Sequence, residues 1–392
     1  MKMLFFSQLV SWHLVRARGF FKAGIFVACL SGFGCSSKPS PEPLWIGHLV
    51  PFEGANRTVG QHARQGIEVA VAEARGNEQA MSGRACAFLH VDSGEESKTM
   101  RAETVRLLTV NRVVAFLAGF DAALTETLVR ESRSYGAPVV VPGEWPDPSD
   151  SDIVFPLGIP PSTRGRLLAR HAANNLKLLR AAVLTDSRRP IASAVASAFL
   201  KTWPRDSGRA AEEWTFTTAD ERDERLGRIL ASHPSVVVLA CSAADFRLLR
   251  PRLAEVLPKI PLLYAGEDEG IGALQAELEM RSEVYLATAY CAEGLTEAGR
   301  AFAKRYEERF HESPDLFAAQ SHDAARLLLE ALQQTAPPTR DALGKQLAQL
   351  ESFESVTGPI HWKDRRPRRR VFLVSLRDNK PKLISTLEPE EN

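Results

Sequence analysis

Short apolar runs alternate with longer segments of helical period from Leu44 onward, and this alternation restricts the fold more than any other feature of the chain. Runs rich in Val, Ile and Leu are typical of strands buried on both faces of a parallel sheet. Strands that alternate with helices form βα units. The sequence therefore predicts an α/β fold with strands at 45–50, 86–91, 113–118, 138–141, 181–184, 214–217, 236–240, 262–265 and 284–290.

The segments between these runs have the spacing of amphipathic helices. In residues 58–75, Ala63, Ile67 and Ala70 fall on one helical face, whereas Arg64 falls on another. Such a helix can cover a sheet with its apolar face and leave its charges in water. Further helices are predicted at 97–108, 124–135, 163–176, 191–203, 222–232, 244–256, 296–310, 318–333 and 340–350.

The series of strands and helices runs twice, separated by the Pro- and Asp-rich residues 142–152 and the strand-like residues 153–157. A chain of 392 residues is also long enough for two domains of ordinary size. We therefore expect two similar lobes. Ligands of open α/β sheets bind beyond the carboxyl ends of the strands, so two such edges that face each other would form a binding cleft.

The first residues have the pattern of an export signal. Positive charges precede an apolar stretch, 23–33, that ends at Gly34 and Cys35 and is too short to span a bilayer comfortably. We expect a lipoprotein signal at 1–35, lipidation of Cys35, and a Pro/Ser tether at 36–43 that holds an exported protein at the membrane, in the periplasm or on the cell surface. Two alternatives stay open, processing at Cys29 and an uncleaved N-terminal anchor.

Charge and motifs argue against several classes of function. Lys and Arg number 49 and Asp and Glu 48, so the net charge of +1 provides no field that would gather nucleic acid. The sequence contains no nucleophile, zinc or nucleotide motif of the common enzyme families, so we expect no catalysis, no metal and no cofactor. Structural roles are expected for the scattered cysteines and histidines, with buried free thiols at Cys86, Cys241 and Cys291 and satisfied side chains at His90 and His322.

Seven segments, in this order and spacing, carry a resemblance to a known family: 46–54 (IGHLVPFEG), 66–73 (GIEVAVAE), 88–93 (FLHVDS), 114–119 (VAFLAG), 136–142 (GAPVVVP), 319–324 (AQSHDA) and 357–360 (TGPI). The chain resembles the leucine/isoleucine/valine-binding family of periplasmic receptors for ABC transporters, which have the type I periplasmic-binding-protein fold. This resemblance implies two Rossmann-like lobes with mainly parallel sheets flanked by helices, joined by a multi-strand hinge. The implied boundaries are 44–156 plus 292–350 for lobe I and 157–291 plus 351–388 for lobe II.

The resemblance also implies a function, an extracytoplasmic receptor that captures a small solute between its lobes for an ABC permease or a signalling partner. In the family, hydroxyls and backbone amides hold the carboxylate of an amino acid and an acidic side chain holds its ammonium. Here the hydroxyl positions are replaced, and the cleft loops are instead acidic. The candidate ligand contacts are Glu53, Asp121, Ala122, Glu144, Trp145, Asp186, Ser242, Glu267 and Asp268, with Arg57, Arg188 and Arg189 as possible counter-charges.

These cleft residues suggest an amino-acid-like, amide or cationic ligand. Each acid could instead cap a helix or lie in a solvated loop, since Asp is a favoured N-cap. Trp145 could stack on the ligand or fill the hinge. A further alternative is a degenerate cleft, in a lipoprotein that acts as a sensor or binds a partner protein without transport.

The densest charge run is 365–370 (RRPRRR). Its Pro367 predicts a turn in a hairpin with solvated arginines. The functional alternative is a contact with anionic lipid or an acidic partner.

Overall fold

The computed structural model describes residues 42–74, 84–146, 152–204, 208–267, 270–274, 282–377 and 380–389. The strands in these residues form two large sheets and one small sheet. Within this part of the chain, no helix is both long and apolar enough to cross a membrane.

The first sheet has five parallel strands, β1 (Leu44–Val50), β2 (Cys86–Asp92), β3 (Ala115–Leu117), β4 (Val139–Val141) and β5 (Val154–Pro156), in the order β2-β1-β3-β4-β5. Alternate residues of strand β1 enter two separate hydrophobic clusters, with Leu44 and Ile46 on one face and Leu49 on the other. Helices therefore have to cover both faces, as the continuous apolar runs predicted. The helices that connect the first four strands are α1 (Arg57–Ala74), α2 (Ser97–Thr109) and α3 (Ala122–Arg133).

The second sheet begins after the chain leaves β5. Its parallel part runs through α4 (Pro161–Arg170), β6 (Arg180–Asp186), α5 (Pro190–Thr202), β7 (Ala210–Phe216), α6 (Ala219–Ala231), β8 (Val236–Ala240), α7 (Ala243–Val256), β9 (Leu262–Tyr264), α8 (Gly270–Leu274) and β10 (Val284–Thr288). Val183 and Val238 face one cluster and Leu184 and Leu239 the other, so this sheet is also covered on both faces. Helix α4 ends in a π-helical turn at His171–Asn175.

The rest of the chain returns to the first sheet and then joins the second. It forms α9 (Glu297–Phe310), α10 (Leu316–Gln333), α11 (Arg340–Ala348), β11 (Ser352–Ser355), β12 (Gly358–Lys363), β13 (Arg366–Arg369), β14 (Val371–Arg377) and β15 (Lys380–Leu387). Strands β11–β13 form the small antiparallel sheet, and β14 and β15 extend the second sheet in the order β15-β14-β10-β9-β8-β6-β7. This is the two-lobed α/β fold that the sequence predicted.

The small sheet differs from the sequence-based expectation in two ways. We predicted 351–388 to belong to lobe II, but Phe353 and Ile360 enter the hydrophobic cluster of the first sheet, and the Trp362 indole donates to Pro156 O at 3.1 Å. We therefore propose that the last crossing lies near Arg370, with residues 352–369 in lobe I.

The prediction that the arginines of 365–370 are solvated is wrong for Arg369. Its side chain is buried and donates to Leu157 O at 2.7 Å and to Thr357 Oγ1 at 2.9 Å. The turn of the hairpin lies at Asp364 and Arg365, which both have positive φ, and not at Pro367, which is inside β13. Since the side chains of a strand alternate between its faces, one arginine of this run points inward and satisfies buried acceptors.

Candidate functional site

The predicted ligand contacts lie in the loops that follow the carboxyl ends of parallel strands. Glu53 follows β1, Asp121 follows β3, and Glu144 follows β4. In the second sheet, Ser242 follows β8 and Glu267 follows β9. The loops of one sheet therefore share one edge of that sheet, which is where open α/β sheets bind ligands.

Glu144 is buried and forms an ion pair that joins the two sheets. Its carboxylate accepts from Arg164 Nη1 at 2.8 and 2.9 Å, and the side chains of Glu144 and Arg164 are only 5% and 0% exposed. Arg164 lies in α4 and also donates to Gly266 O at 2.7 Å and to Ala287 O at 3.1 Å, both in the second lobe. Glu144 of the first lobe is thus held by a cation that the second lobe keeps in place.

A second group of charges follows the second sheet. Asp186, which is 1% exposed, ends β6 and accepts from Arg188 Nε and Nη2, each at 2.9 Å. Arg189 Nη1 lies 2.9 Å from Glu267 and its Nε 3.7 Å from Asp186. Two acids and two arginines therefore form one network between the loops that follow β6 and β9. Arg188 and Arg189, predicted as possible counter-charges, thus neutralise acids of the protein itself.

Two predicted residues cap helices. The Asp121 carboxylate accepts from Leu124 N at 2.8 Å at the start of α3. Ser242 Oγ accepts from Asp245 N at 3.0 Å at the start of α7. Such caps satisfy backbone amides that a helix leaves unpaired, which is the alternative role expected for Asp121, and the structure gives Ser242 the same role. Ala122, which is half-buried, is the first residue of α3.

Trp145 lies at the crossing between the lobes. Its ring is half-buried, packs against the apolar cluster of β3 and β4, and lines a cavity of about 220 Å³ with Pro160, Pro161 and Pro367. This position is compatible with the hinge-filling alternative. Glu53 is exposed in the loop after β1.

The other predicted residues are Asp268 and the cysteines. Asp268, Cys29 and Cys35 lie outside the described residues, so their roles stay predictions. Cys241 and Cys291 are buried free thiols, as predicted, while Cys86 is half-buried and burial raises the pKa of its thiol to about 12.

Both histidines singled out in the sequence have side-chain partners. His90 Nδ1 lies 2.8 Å from His48 Nδ1, and burial lowers the pKa of His90 to about 4, so it is neutral at pH 7. His322 Nε2 lies 3.1 Å from Glu73. These contacts agree with the structural role expected for each.

Sequence reasoning missed Arg164. It lies in the middle of an amphipathic helix pattern, where an arginine ordinarily faces water, and nothing local marks it as buried. The signal that could have found it was Glu144 itself, since a carboxylate next to an apolar strand needs a cation if it is buried.

Comparison with known proteins gives one family and several similar folds. The family model described as "Periplasmic binding protein" matches residues 43–381. Comparison with curated proteins found no significant match.

Among solved structures, a leucine-binding protein LivK from Thermotoga maritima has 16% identity and a TM-score of 0.78, over 89% of this chain and 100% of that one. LivJ from Streptococcus pneumoniae, in complex with isoleucine, has 19% identity and a TM-score of 0.77, over 88% and 100%. A solute-binding protein from R. palustris, in complex with benzoate, has 21% identity and a TM-score of 0.70, over 88% and 97%. At these identities the likeness shows the fold.

Proposed function

Because the chain belongs to the periplasmic binding protein family, we propose that it captures a small solute between its two lobes and presents it to an ABC transporter. The observation that carries this proposal is the placement of Glu144, Ser242 and Glu267 after parallel strands of two different sheets. The similar structures with isoleucine and benzoate support a solute of about this size.

The ligand we propose is uncharged or zwitterionic, an amide or an amino-acid-like solute. Of the acids predicted to attract a cation, Glu144, Asp186 and Glu267 each already contact an arginine at 2.8 to 2.9 Å. A cationic ligand would have to displace these arginines from partly or fully buried pairs, which leaves a desolvated charge without its partner. The ion pairs therefore disfavour the cationic class among those that the sequence suggested.

Thermal unfolding against a panel of solutes tests this function. Residues from Pro41 to Asn392 form one compact unit, so a chain that starts at Ser37 contains all of it. A solute at about 100 times its dissociation constant adds about 2.7 kcal/mol to the free energy of unfolding, which raises Tm by a few degrees. We expect amides or neutral amino acids to raise Tm, and polyamines to leave it unchanged.

The outcomes separate the parts of the proposal. A rise in Tm with polyamines alone would contradict the proposed charge of the ligand but would agree with the proposed receptor function. No rise with any solute would favour a second candidate function, a protein-binding lipoprotein with a degenerate cleft. The Glu144–Arg164 pair favours that candidate, because the protein's own ion pair joins the lobes without a solute.

We also propose that the protein is exported and anchored by a lipid on Cys35, because apolar residues 23–33 end at a small residue and a cysteine. The family acts outside the cytoplasm, which supports export. Metabolic labelling with palmitate checks the anchor. Label that persists in a Cys35→Ala variant would assign the anchor to another residue.

A further inference from the structure

Three arginines near the lobe crossing lack an acidic partner. Arg166 and Arg170 are four residues apart in α4 and therefore lie on the same helical face. Arg368 lies in β13, on the strand face opposite the buried Pro367 and Arg369. Within the described ranges, no carboxylate oxygen lies within 4.0 Å of a nitrogen of these three side chains.

The strand and the helix are neighbours. Arg366 of β13, which is on the same strand face as Arg368, lines a small cavity together with Ser162 at the start of α4, so this face of β13 passes beside α4. Arg166 donates to Thr163 Oγ1 at 3.1 Å and is half-buried. The positive charges of Arg170 and Arg368 both act on Arg166, so the three side chains lie in one neighbourhood.

Other arginines nearby have hydrogen-bond or ion-pair partners within the protein. Arg164 holds Glu144, Arg369 donates to a carbonyl and a hydroxyl, and Arg370 forms a bidentate pair with Glu388 at 3.0 Å. Among the described residues, Arg164 and Arg370 are therefore paired with carboxylates, which Arg166, Arg170 and Arg368 are not.

The positive charges of the three arginines repel one another. Burial lowers the pKa of the Arg166 guanidinium from its ordinary value, and the positive charges of Arg170 and Arg368 lower it further. Like charges at this range raise the free energy of the folded protein unless an anion lies between them. An anion that contacts all three would remove this repulsion.

We propose that Arg166, Arg170 and Arg368 form a binding site for a phosphate-type oxyanion, either free or as the headgroup of a lipid. Planar guanidinium groups donate paired hydrogen bonds that match the oxygens of phosphate. The site joins α4 of the second lobe to β13, which packs with the first, so a bound oxyanion would bridge the crossing. This inference does not depend on the solute that the cleft binds.

Isothermal titration with inorganic phosphate tests the site, with sodium chloride at the same ionic strength as the blank. We expect saturable binding to the wild-type protein. The triple variant Arg166→Gln/Arg170→Gln/Arg368→Gln should bind phosphate at least about tenfold more weakly, because it loses the charge-assisted hydrogen bonds of all three guanidinium groups. Since Arg170 is exposed, Arg170→Gln alone keeps the fold and should weaken binding in the same direction.

A matched control removes the same charge elsewhere. Arg225, Arg228 and Arg252 lie on α6 and α7 and already have carboxylate partners, so Arg225→Gln/Arg228→Gln/Arg252→Gln should leave phosphate binding unchanged. Urea midpoints of both triple variants verify that they are folded. Equal loss in the two triple variants would overturn the site, as would wild-type affinity in the cluster variant.

Sedimentation with phosphatidylcholine vesicles, with and without phosphatidylglycerol, separates the two sources of the oxyanion. Phosphate binding without vesicle binding assigns the site to a free oxyanion. Binding to phosphatidylglycerol vesicles that phosphate displaces assigns it to a headgroup. No binding to either probe overturns the proposal.

Discussion

Replacement of Arg164 by methionine is expected to lower the free energy of unfolding by about 3–5 kcal/mol, because it leaves the buried carboxylate of Glu144 without its cation. Urea unfolding at pH 7 measures this loss. The double variant Arg164→Met/Glu144→Gln should recover part of it, since no charge then remains buried. Recovery stays incomplete because Arg164 also donates to Gly266 O and Ala287 O.

The control for this variant is an arginine in an exposed pair. Arg228 lies 2.6 Å from Glu224, and their side chains are 59% and 52% exposed. Since exposed pairs contribute about 0.2–1 kcal/mol at most, Arg228→Met should change stability little. If Arg164→Met costs no more than Arg228→Met, the buried pair does not hold the lobes together.

Replacement of Gly158 by alanine is expected to destabilise the protein by about 1–3 kcal/mol. A Cβ atom at this position would clash with Gly143 O and lie 2.5 Å from Glu144 N, and both contacts are with backbone atoms that cannot turn away. Gly158 N also donates to Gly143 O at 3.0 Å, so the chain is held close at this point. The clash should push the loop that carries Glu144 away from the crossing.

A glycine in open space provides the comparison for this second variant. Gly227 lies inside α6, and a Cβ there would meet nothing within 4 Å. Gly227→Ala should therefore stabilise the protein by about 0.5–1 kcal/mol through helix propensity alone. A Gly158→Ala protein as stable as the wild type would show that the approach to Gly143 does not constrain the hinge.

The alternation of apolar runs and helical segments predicted the two large sheets, because a strand that is buried on both faces is itself a run of apolar residues. β8, with five consecutive buried residues, is an example. The small sheet was missed since Ser352–Ser355 and Arg366–Arg369 are short and polar, and tertiary packing alone makes them strands. Strand β15, with its two lysines and a proline, has the composition of an edge strand and little β signal.

The candidate site was predicted less completely, for a physical reason. Sequence periodicity placed Glu144, Asp186 and Glu267 after strands. It does not show which charged side chains from other parts of the chain contact these acids in the folded protein. Arg189 reaches Glu267 across 78 positions of the chain and Arg164 reaches Glu144 across 20. These partners disfavour the cationic class among the amino-acid-like, amide and cationic ligands that the sequence suggested.

Small-angle X-ray scattering of the protein with and without the solute that raises Tm tests the central claim most directly. Capture between two lobes selects the closed arrangement, so the radius of gyration should fall when the solute saturates the protein. A solute that binds tightly and leaves the radius of gyration unchanged would contradict capture in the cleft.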